Sequence, residues 1–527
     1  MKVKLLLILF FIQINYGLGQ SFDVLIRNGK ILDGTGNPWY LGDIGIKDGD
    51  ILEIGDLASR SAQKTIDAKD QIVCPGFIDV HAHVEGSLEN RPTADNFIHD
   101  GVTTVVTGNC GGSRIDLEQY FNDLRKEGIS INMASLIGHN TIRRTIMGNE
   151  DREPTAEELD NMEKLVARAM EQGAVGISTG LIYLPGTFAK SNEIVSLAKV
   201  AHSFGGVYAS HIRNEDERVF AAIREAADIG AESGIPVEIS HFKITGKPNW
   251  GRTGEMIDLV NAYRHRGVDV TVDQYPYTAS STSLDVLLPD WALEGTDEEV
   301  INRIQDPMTR KKIQKEMIQL LKKSGFKNYS YAFVAFCPWD STINGMNLHD
   351  VNIKQGGKGK AASETETILD LAVKRRRVQM VYHKMNESDV ETLMQLPYAM
   401  IASDAGIPAI NVGSPHPRAY GTNARVLGRY VREHQTLTWE DAIRKMTSLP
   451  ARKFNLSHRG ILMPGFAADV VIFDPTTVGD LATFEQPHAY STGINYVLVN
   501  GTLVVDEGTH TGTRPGQIIT GPGLKNQ

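Results

Sequence analysis

Two histidines separated by one residue, His81 and His83, directly follow the apolar stretch at residues 77–80. Side chains of a β-strand alternate between its two faces, so residues at i and i+2 point in the same direction. If this strand ends at a cavity, both imidazoles reach one point and can bind one metal ion. A single pair of this kind is weak evidence, because short motifs often match by chance. Its meaning depends on what the other strand-like runs of the chain deliver.

Later apolar runs also end in side chains that can bind metal ions or move protons. A cysteine, two histidines and an aspartate follow such runs: Cys110, His211, His241 and Asp404. The remaining runs end near His139, Tyr183, Asp273, Tyr275 and Tyr277. Imidazole and thiolate donors suit zinc, and a carboxylate beside them can be a ligand or a base. The pattern predicts a zinc site with an adjacent carboxylate.

The middle of the chain alternates apolar runs with amphipathic segments, which predicts the scaffold for these side chains. Eight strand-like runs occur, at residues 76–81, 102–108, 131–138, 174–182, 206–211, 236–241, 268–275 and 398–404. Helical periodicity lies between them, as at residues 156–172, 193–204, 218–233 and 254–266. Eight alternating units indicate an α/β protein with a (β/α)₈ TIM barrel, whose active site lies at the carboxyl ends of the strands. A doubly wound open sheet is the alternative, although no glycine-rich dinucleotide loop follows the first strand.

Short β-type runs separated by turns occupy both ends of the chain. We predict a small β-sandwich built from residues 20–75 and 455–513, and a metal-dependent barrel at residues 76–454. The connection before the last barrel strand is too long for a structureless loop. It contains helical segments at residues 298–324 and a strand candidate at residues 331–335. We therefore predict an inserted subdomain at about residues 285–345, over the barrel mouth.

The composition excludes some function classes, and the N-terminal sequence predicts where the protein is located. The 527 residues carry a net charge of −10, so the basic footprint of a nucleic-acid-binding protein is missing. Three cysteines, Cys74, Cys110 and Cys337, do not make a disulfide scaffold; Cys74 and Cys337 are expected to be buried apolar residues. Residues 1–19 combine two lysines with a short apolar run, which is typical of a cleaved signal peptide and too short to span a bilayer. We expect an exported protein, periplasmic or secreted, without a stable membrane anchor.

The strand-end residues resemble the metal-site signature of the amidohydrolase superfamily. Within it, the chain is similar to the N-acyl-D-amino-acid deacylases, also called D-aminoacylases, over nearly all of residues 22–510. The most discriminating segment is Gly108-Asn109-Cys110-Gly111. Other matching stretches are residues 75–83, 101–105, 178–183, 274–279, 414–418, 425–430 and 445–451.

The resemblance implies a ligand set for zinc. Many relatives bridge two metals with a carboxylated lysine on the fourth strand, but residues 176–182 contain no lysine. The resemblance implies that Cys110 takes the bridging place. One tightly bound zinc would use Cys110, His211 and His241, and a second, weaker site would use His81, His83 and Cys110. Asp404 would be the catalytic base that deprotonates water and then protonates the leaving nitrogen.

The resemblance also implies which residues bind the substrate. Its free carboxylate would contact Lys243, Tyr275, Ser281 and Arg418, and Tyr183 would lie near the scissile carbonyl. The implied reaction is zinc-dependent hydrolysis of N-acyl-D-amino acids to a carboxylate and a free D-amino acid. The sequence departs from the commonest pattern at residues 84–87 and 421–425, near the barrel mouth, which concerns substrate preference more than chemistry.

Two alternatives remain open at this point. The first is a dipeptidase that acts on peptides with a C-terminal D-residue, which would use the same site. The second, from a different class, is a catalytically inactive exported binding protein with a degenerate barrel. The partner is in each case a small molecule, an N-acyl amino acid or a dipeptide. The preferred acyl group, the preferred side chain and the oligomeric state are not specified by the sequence.

Overall fold

The computed structural model describes residues 21–375 and 377–524 of the chain. The predicted signal peptide at residues 1–19 lies outside this described part. Among the described residues, no helix has both the length and the apolar character that crossing a bilayer requires.

The strands and helices are numbered in chain order. The strands are β1 (Phe22–Ile31), β2 (Tyr40–Lys47), β3 (Asp50–Gly55), β4 (Ala62–Asp67), β5 (Ile72–Pro75), β6 (Phe77–Asp79), β7 (Val102–Thr107), β8 (Asn132–Ser135), β9 (Ile137–Gly138), β10 (Gly176–Gly180), β11 (Val207–His211), β12 (Val237–Ile239), β13 (Val270–Gln274), β14 (Ser280–Ser283), β15 (Ala332–Phe336), β16 (Gln379–Tyr382), β17 (Ala399–Ile401), β18 (Val470–Phe473), β19 (Ile494–Val499), β20 (Thr502–Asp506) and β21 (Thr509–His510). The α-helices are α1 (Asp95–Ile98), α2 (Leu117–Glu127), α3 (His139–Met147), α4 (Ala156–Glu171), α5 (Ser191–Ser203), α6 (Val219–Ser233), α7 (Thr253–His265), α8 (Asp297–Gln305), α9 (Pro307–Lys323), α10 (Leu348–Lys354), α11 (Ala361–Ala372), α12 (Glu387–Met394), α13 (Arg418–Arg425), α14 (Trp439–Met446) and α15 (Ser448–Lys453). A π-helix, Val426–Glu433, follows α13, and short 3-10 helices lie at Gly186–Phe188, Lys247–Asn249, Leu284–Leu287, Asp290–Leu293, Tyr329–Tyr331 and Ser341–Ile343.

Each of the eight predicted runs contains a strand, and these strands pair in parallel. They form two sheets, with the orders β6-β7-β8 and β9-β10-β11-β12-β13-β17. Backbone hydrogen bonds also connect the edges of the two sheets. The Leu136 amide donates to the Thr107 carbonyl at 2.9 Å, and the Asp404 amide donates to the His81 carbonyl at 2.8 Å. The fold is therefore α/β with parallel strands in chain order, without the reversal of strand order that defines a doubly wound sheet.

The helices between these strands lie where the periodicity predicts them, as α4, α5, α6 and α7. Local side-chain contacts define several helix starts. The Thr155 hydroxyl accepts from the Glu158 amide, and the Glu158 carboxylate accepts from the Thr155 amide, which is a capping box. Between α8 and α9, the Asp306 carboxylate accepts from the Thr309 amide and Pro307 occupies the first helical position, so a new helix begins there.

Strands from both ends of the chain join in one nine-stranded sheet. Its order is β21-β20-β19-β18-β5-β1-β2-β3, and β4 pairs with β1. The sequence predicts strands in both regions, but it does not predict β4. Only Ile66 is buried in this strand, so the segment lacks the alternating apolar pattern that identifies a strand.

A separate layer is inserted between β13 and β17. Its antiparallel strands have the order β14-β16-β15, and they pack with α8, α9, α10 and α11 around an apolar core of their own. The layer runs from β14 to β16, at residues 280–382, and so exceeds the predicted insertion at about residues 285–345. The reason is that its first strand pairs with its last, Ser280 opposite Tyr382, and such distant pairing leaves no local sequence signal.

The carboxylate of Asp469 connects the terminal sheet to the parallel strands. It forms a very close ion pair with Arg459, and both side chains are buried. It also accepts a hydrogen bond from the Asn132 amide group at 3.0 Å and another from the Asn500 backbone amide at 2.8 Å. Because Asn132 lies in β8, one buried carboxylate holds two sheets together.

We expect Asp469→Ala to destabilise the protein strongly. Removing one partner of a buried ion pair leaves the Arg459 guanidinium uncompensated, which costs about 3–5 kcal/mol. The urea midpoint and the melting temperature should both fall. Asp160→Ala is the matched control, because Asp160 pairs with Lys164 at the surface and should leave both midpoints unchanged. Equal midpoints for the two variants would contradict the proposed connection.

Candidate active site

The predicted metal and catalytic side chains come together where the parallel strands end. Three of these residues, Cys110, His241 and Asp404, have left-handed backbones with φ angles of 52°, 38° and 51°. Such conformations cost about 1–3 kcal/mol in residues other than glycine and are found at functional sites. The strands therefore end in tight turns, and those turns direct the three side chains toward one point.

A thiol and two imidazoles form the centre of the site. The Cys110 Sγ lies 3.5 Å from the His211 Nδ1 and 3.8 Å from the His241 Nε2, and the two nitrogens are 2.8 Å apart. A tetrahedral zinc with bond lengths of about 2.0–2.3 Å holds its ligand atoms roughly 3.3–3.6 Å apart. The two sulfur–nitrogen distances lie close to this spacing, whereas the two nitrogens are closer to each other than a bound zinc would hold them. The donor set therefore fits zinc in type, and its two nitrogens would have to separate slightly to bind the ion.

Carboxylates contact His241 and His81 at the ring nitrogens that do not face Cys110. The Glu215 Oε1 lies 3.0 Å from the His241 Nδ1, on the ring nitrogen opposite the one that faces Cys110. The Asp273 carboxylate contacts the His81 Nδ1 at 3.1 Å and accepts from the His241 backbone amide at 2.7 Å. A carboxylate on the far nitrogen fixes the tautomer and the direction of a metal-binding imidazole.

A second set of donors surrounds the same sulfur. The His81 Nε2 lies 3.3 Å from the Cys110 Sγ, and the donor atoms of His81, His83 and Cys110 all lie within 4.8 Å of one another. The His83 Nε2 also lies 3.1 Å from the Asp404 Oδ1, and the His83 side chain is 38% exposed. This set is thus more open than the first, and one of its histidines is already engaged by a carboxylate.

Neighbouring charges and hydrogen bonds favour the charged forms of the Cys110 sulfur and the Asp404 carboxylate. Burial opposes ionisation of Cys110, but the charge of His81 and the hydrogen bonds from His211 and His241 hold the pKa of its thiol well below the ordinary value. Burial likewise opposes ionisation of Asp404, but Arg418 and the nearby histidines hold its pKa well below the usual range. The surroundings of Cys110 and Asp404 therefore favour the thiolate and the carboxylate.

Two buried cations lie beside the donor atoms, and each has a carboxylate partner. The Lys243 ammonium lies 2.6 Å from the Glu215 Oε1, and the Arg418 guanidinium lies 3.0 Å from the Asp404 Oδ2. Both cations face the ring of Tyr275, at 5.5 Å for Lys243 and 4.5 Å for Arg418. Positive charge is thus gathered next to the predicted metal site.

The remaining predicted substrate residues lie in the same region. Arg418 donates to the Ser281 carbonyl at 3.3 Å, while the Ser281 hydroxyl donates to the Met380 carbonyl. The Tyr183 ring packs edge-on against His211, and its hydroxyl lies 3.0 Å from the Thr282 hydroxyl. The structure thus brings all of the predicted site residues together, and their individual roles stay predictions.

One histidine from the strand-end pattern does not belong to this group. His139 is fully buried, and its Nε2 lies 2.8 Å from the Glu193 carboxylate, which also pairs closely with Arg143. His139 is therefore a packed residue that is hydrogen-bonded to Glu193 and is not part of the donor cluster. The expected burial of Cys74 and Cys337 is confirmed.

The sequence did not single out Glu215, which contacts both His241 and Lys243. Asp273 was one of many strand-end residues, and nothing local marked it as the partner of His81. Asp79 accepts from the backbone amides of His81 and Ser403, and burial raises its pKa to about 6. The only sequence signal for these three carboxylates is an acidic residue within or beside a buried strand.

Comparison with known proteins identifies the family. The model of the amidohydrolase family matches residues 64–266 and 365–505. A D-aminoacylase from Alcaligenes xylosoxydans xylosoxydans is 34% identical over 523 residues, 95% of this chain and 98% of the relative. An N-acyl-D-glutamate deacylase from the same organism is 35% identical over 525 residues, covering 95% and 97% of the two chains.

A solved structure has the same fold and a bound metal. The N-acyl-D-glutamate deacylase of Bordetella bronchiseptica, complexed with zinc and a phosphonate mimic of the tetrahedral intermediate, matches with a TM-score of 0.81 and 34% identity. The match covers 95% of this chain and 100% of that chain. The chain therefore belongs to the amidohydrolase family and, within it, to the group of the D-aminoacylases and N-acyl-D-amino-acid deacylases.

Proposed function

We propose that the protein is a metal-dependent amidohydrolase that cleaves N-acyl-D-amino acids into a carboxylate and a free D-amino acid. The observation that carries this proposal is the Cys110–His211–His241 donor cluster, which lies beside an ionised Asp404 and two buried cations. The names of the most similar relatives, which describe deacylases of N-acyl-D-amino acids, support the same reaction. The preference for D-substrates rests on these relatives.

The metal in this proposal is zinc. Cys110, His211 and His241 would hold it most tightly, because both histidines of this set are buried, whereas His81 is the single buried member of the His81–His83–Cys110 set. His81, His83 and Cys110 would form a second, weaker site. A zinc ion supplies Lewis acidity there, which lowers the pKa of water and polarises an amide carbonyl.

Asp404 is the residue that moves the proton. Its ionised carboxylate takes a proton from the attacking water as the oxygen bonds to the amide carbon. The protonated carboxyl then gives this proton to the nitrogen as the carbon–nitrogen bond breaks, so the amine leaves neutral. His83 and Arg418, each in contact with one Asp404 oxygen, hold the carboxylate in position for both steps.

Arg418 and Lys243 would bind the free carboxylate of the substrate. A guanidinium can form two parallel hydrogen bonds to a carboxylate, and both cations face Tyr275. In the structure Arg418 pairs with Asp404 and Lys243 pairs with Glu215, so a substrate carboxylate would share cations that are already in place. This arrangement suits a linear substrate with an open carboxylate.

We further propose the finer features of the architecture. The hydrogen bonds between the two parallel sheets support a single closed (β/α)₈ barrel at residues 76–454. The apolar core shared by β1, β2, β18 and β19 supports a terminal sheet that folds over as a sandwich, built from residues 20–75 and 455–513. The predicted leader at residues 1–19 supports export of the protein to the periplasm or the medium.

The test of the proposed function is a substrate panel with purified, zinc-loaded protein. N-acetyl-D-methionine and N-acetyl-D-leucine should be hydrolysed, with release of acetate, and their L-enantiomers should not. Dipeptides with a C-terminal D-residue should be added to the panel, because faster turnover of these peptides would favour the dipeptidase alternative. A zinc-loaded protein that hydrolyses no member of the panel would favour the binding-protein alternative.

We expect Cys110→Ala to abolish tight zinc binding. Loss of an outer partner of a metal ligand costs about 10–100-fold in affinity, and loss of the ligand itself should cost at least about 100-fold. Zinc content after dialysis, measured by atomic emission, should fall from at least one ion per chain to a trace. Cys337→Ala is the control, because Cys337 lies in the core of the inserted layer. Zinc retained by the Cys110 variant would disprove the ligand role.

We expect Asp404→Asn to lower kcat by about 10²–10⁴-fold, which is the usual contribution of a general acid–base residue. Asparagine has nearly the same shape but cannot take up the proton. Zinc content should stay the same, because the tight cluster does not include Asp404. A loss of activity below tenfold, with normal zinc content, would assign proton transfer to another residue.

A further inference from the structure

A cavity of about 140 Å³ lies between the barrel loops and the inserted layer. It is far larger than the roughly 10–15 Å³ that a single water needs. Apolar side chains, including Leu287 and Met317, form part of its wall. Two charged side chains, Asp216 and Lys384, also face it and take no part in the mechanism described above.

Two residues that line this cavity are chain neighbours of residues at the active site. Asp216 follows Glu215, whose carboxylate contacts His241 and Lys243. Lys384 precedes Met385, whose sulfur lies 3.9 Å from the Tyr275 hydroxyl. The charges of Glu215 and Lys243 also act on the Lys384 ammonium, so this wall of the cavity lies near the groups that would hold the substrate carboxylate.

Lys384 differs from the other two cations near the site. Its ammonium makes no ion pair with any residue in ranges 21–375 and 377–524. Its backbone carbonyl accepts hydrogen bonds from Trp250 and from the Gly246 amide, which holds this segment in place. Burial lowers the pKa of Lys384, while Glu215 and Asp216 act in the opposite direction. Lys384 is half-buried, and its ammonium lies 5.2 Å from the centre of the Tyr382 ring. A held cation that lacks a carboxylate partner is a group that a ligand can satisfy.

Asp216 provides the opposite kind of group. Its Oδ1 is buried and has no hydrogen-bond partner within the described part of the chain. A buried acceptor without a donor costs about 1–3 kcal/mol, which a ligand N–H would recover. The cavity thus offers one free acceptor and one free donor.

The charges around the cavity balance. Lys384 and Asp216 carry opposite charges, and the other charged pair at the wall, Lys323 and Glu217, is joined by a salt bridge of 2.9 Å. An added carboxylate would be attracted by Lys384 and repelled by Asp216. A neutral group with both a donor and an acceptor would satisfy both side chains, and a primary carboxamide is such a group.

We propose that this cavity receives the side chain of the acylated D-residue and prefers a carboxamide over a carboxylate of the same shape. The substrate class is thus N-acyl-D-glutamine in preference to N-acyl-D-glutamate. Lys384 donates to the amide oxygen of the side chain, and Asp216 accepts from its NH₂ group. This inference rests on the proposed function, because it specifies the substrate of the same site.

The experiment compares kcat/KM for N-acetyl-D-glutamine, N-acetyl-D-glutamate and N-acetyl-D-methionine in the zinc-loaded protein. The wild type should favour glutamine over glutamate by about tenfold or more, as expected for hydrogen bonds to charged groups. Asp216→Asn should shift this ratio at least tenfold toward glutamate, because Lys384 then acts without an opposing charge. Lys384→Met should lower kcat/KM for glutamine about tenfold and leave the methionine substrate within about threefold.

Controls separate specificity from damage to the fold. Lys164→Gln, at a surface ion pair outside the cavity lining, should leave all three values unchanged, and the zinc content and melting temperature of every variant should match those of the wild type. Equal activity on glutamine and glutamate in the wild type, or an unchanged ratio in Asp216→Asn, overturns this inference alone. Failure to hydrolyse any of the three substrates overturns the proposed function and this inference with it.

Discussion

The Cys110 sulfur is the point on which the rest of the site depends. Nitrogens of His81, His211 and His241 lie 3.3–3.8 Å from this sulfur. These three histidines lie at or just after the ends of three different strands. Bringing these groups together removes them from water and requires left-handed backbones at several strand ends. Parallel pairing in chain order meets this demand, because it places the carboxyl ends of neighbouring strands at one edge.

Compensated charge is the second constraint on the site. Glu215 pairs with Lys243, Asp404 pairs with Arg418, and Asp273 contacts His81, so each of these three carboxylates has a partner before a substrate arrives. A buried charge without a partner would be costly, and a protein that must receive an anionic substrate needs cations that stay in place. Pairing each cation with a carboxylate of the protein keeps it ordered beside the donor cluster.

The residues proposed for the chemistry and those proposed for substrate specificity lie in different parts of the fold. The donor atoms and Asp404 lie at the ends of short buried strands, whose positions are held by the parallel sheets. The inserted layer supplies Ser281 and has an apolar core of its own, and Lys384 follows its last strand. Because this layer packs independently, its loops can change the shape and charge of the cavity while the strand ends keep their geometry.

Much of the fold and of the candidate site could be predicted from the sequence, because both leave local patterns. The eight strands appear as apolar runs, and residues such as Cys110 and Asp404 stand where those runs end. The resemblance to a known family added the prediction that Lys243 and Arg418 contact the substrate carboxylate. By contrast, β4 could not be predicted, because its side chains are mostly exposed. The full extent of the inserted layer could not be predicted either, because it depends on pairing between distant strands.

By itself, the sequence determined the residue types available for chemistry, the order of the parallel strands and the family. Only the tertiary structure decided that Glu215 supports both His241 and Lys243, that Arg418 pairs with Asp404, and that Asp216 and Lys384 share one cavity. The physical reason is that apolar periodicity and turn residues are local, whereas the partner of a buried charge is chosen by packing. In the sequence, a carboxylate that contacts the histidine of a neighbouring strand looks like any other acidic residue.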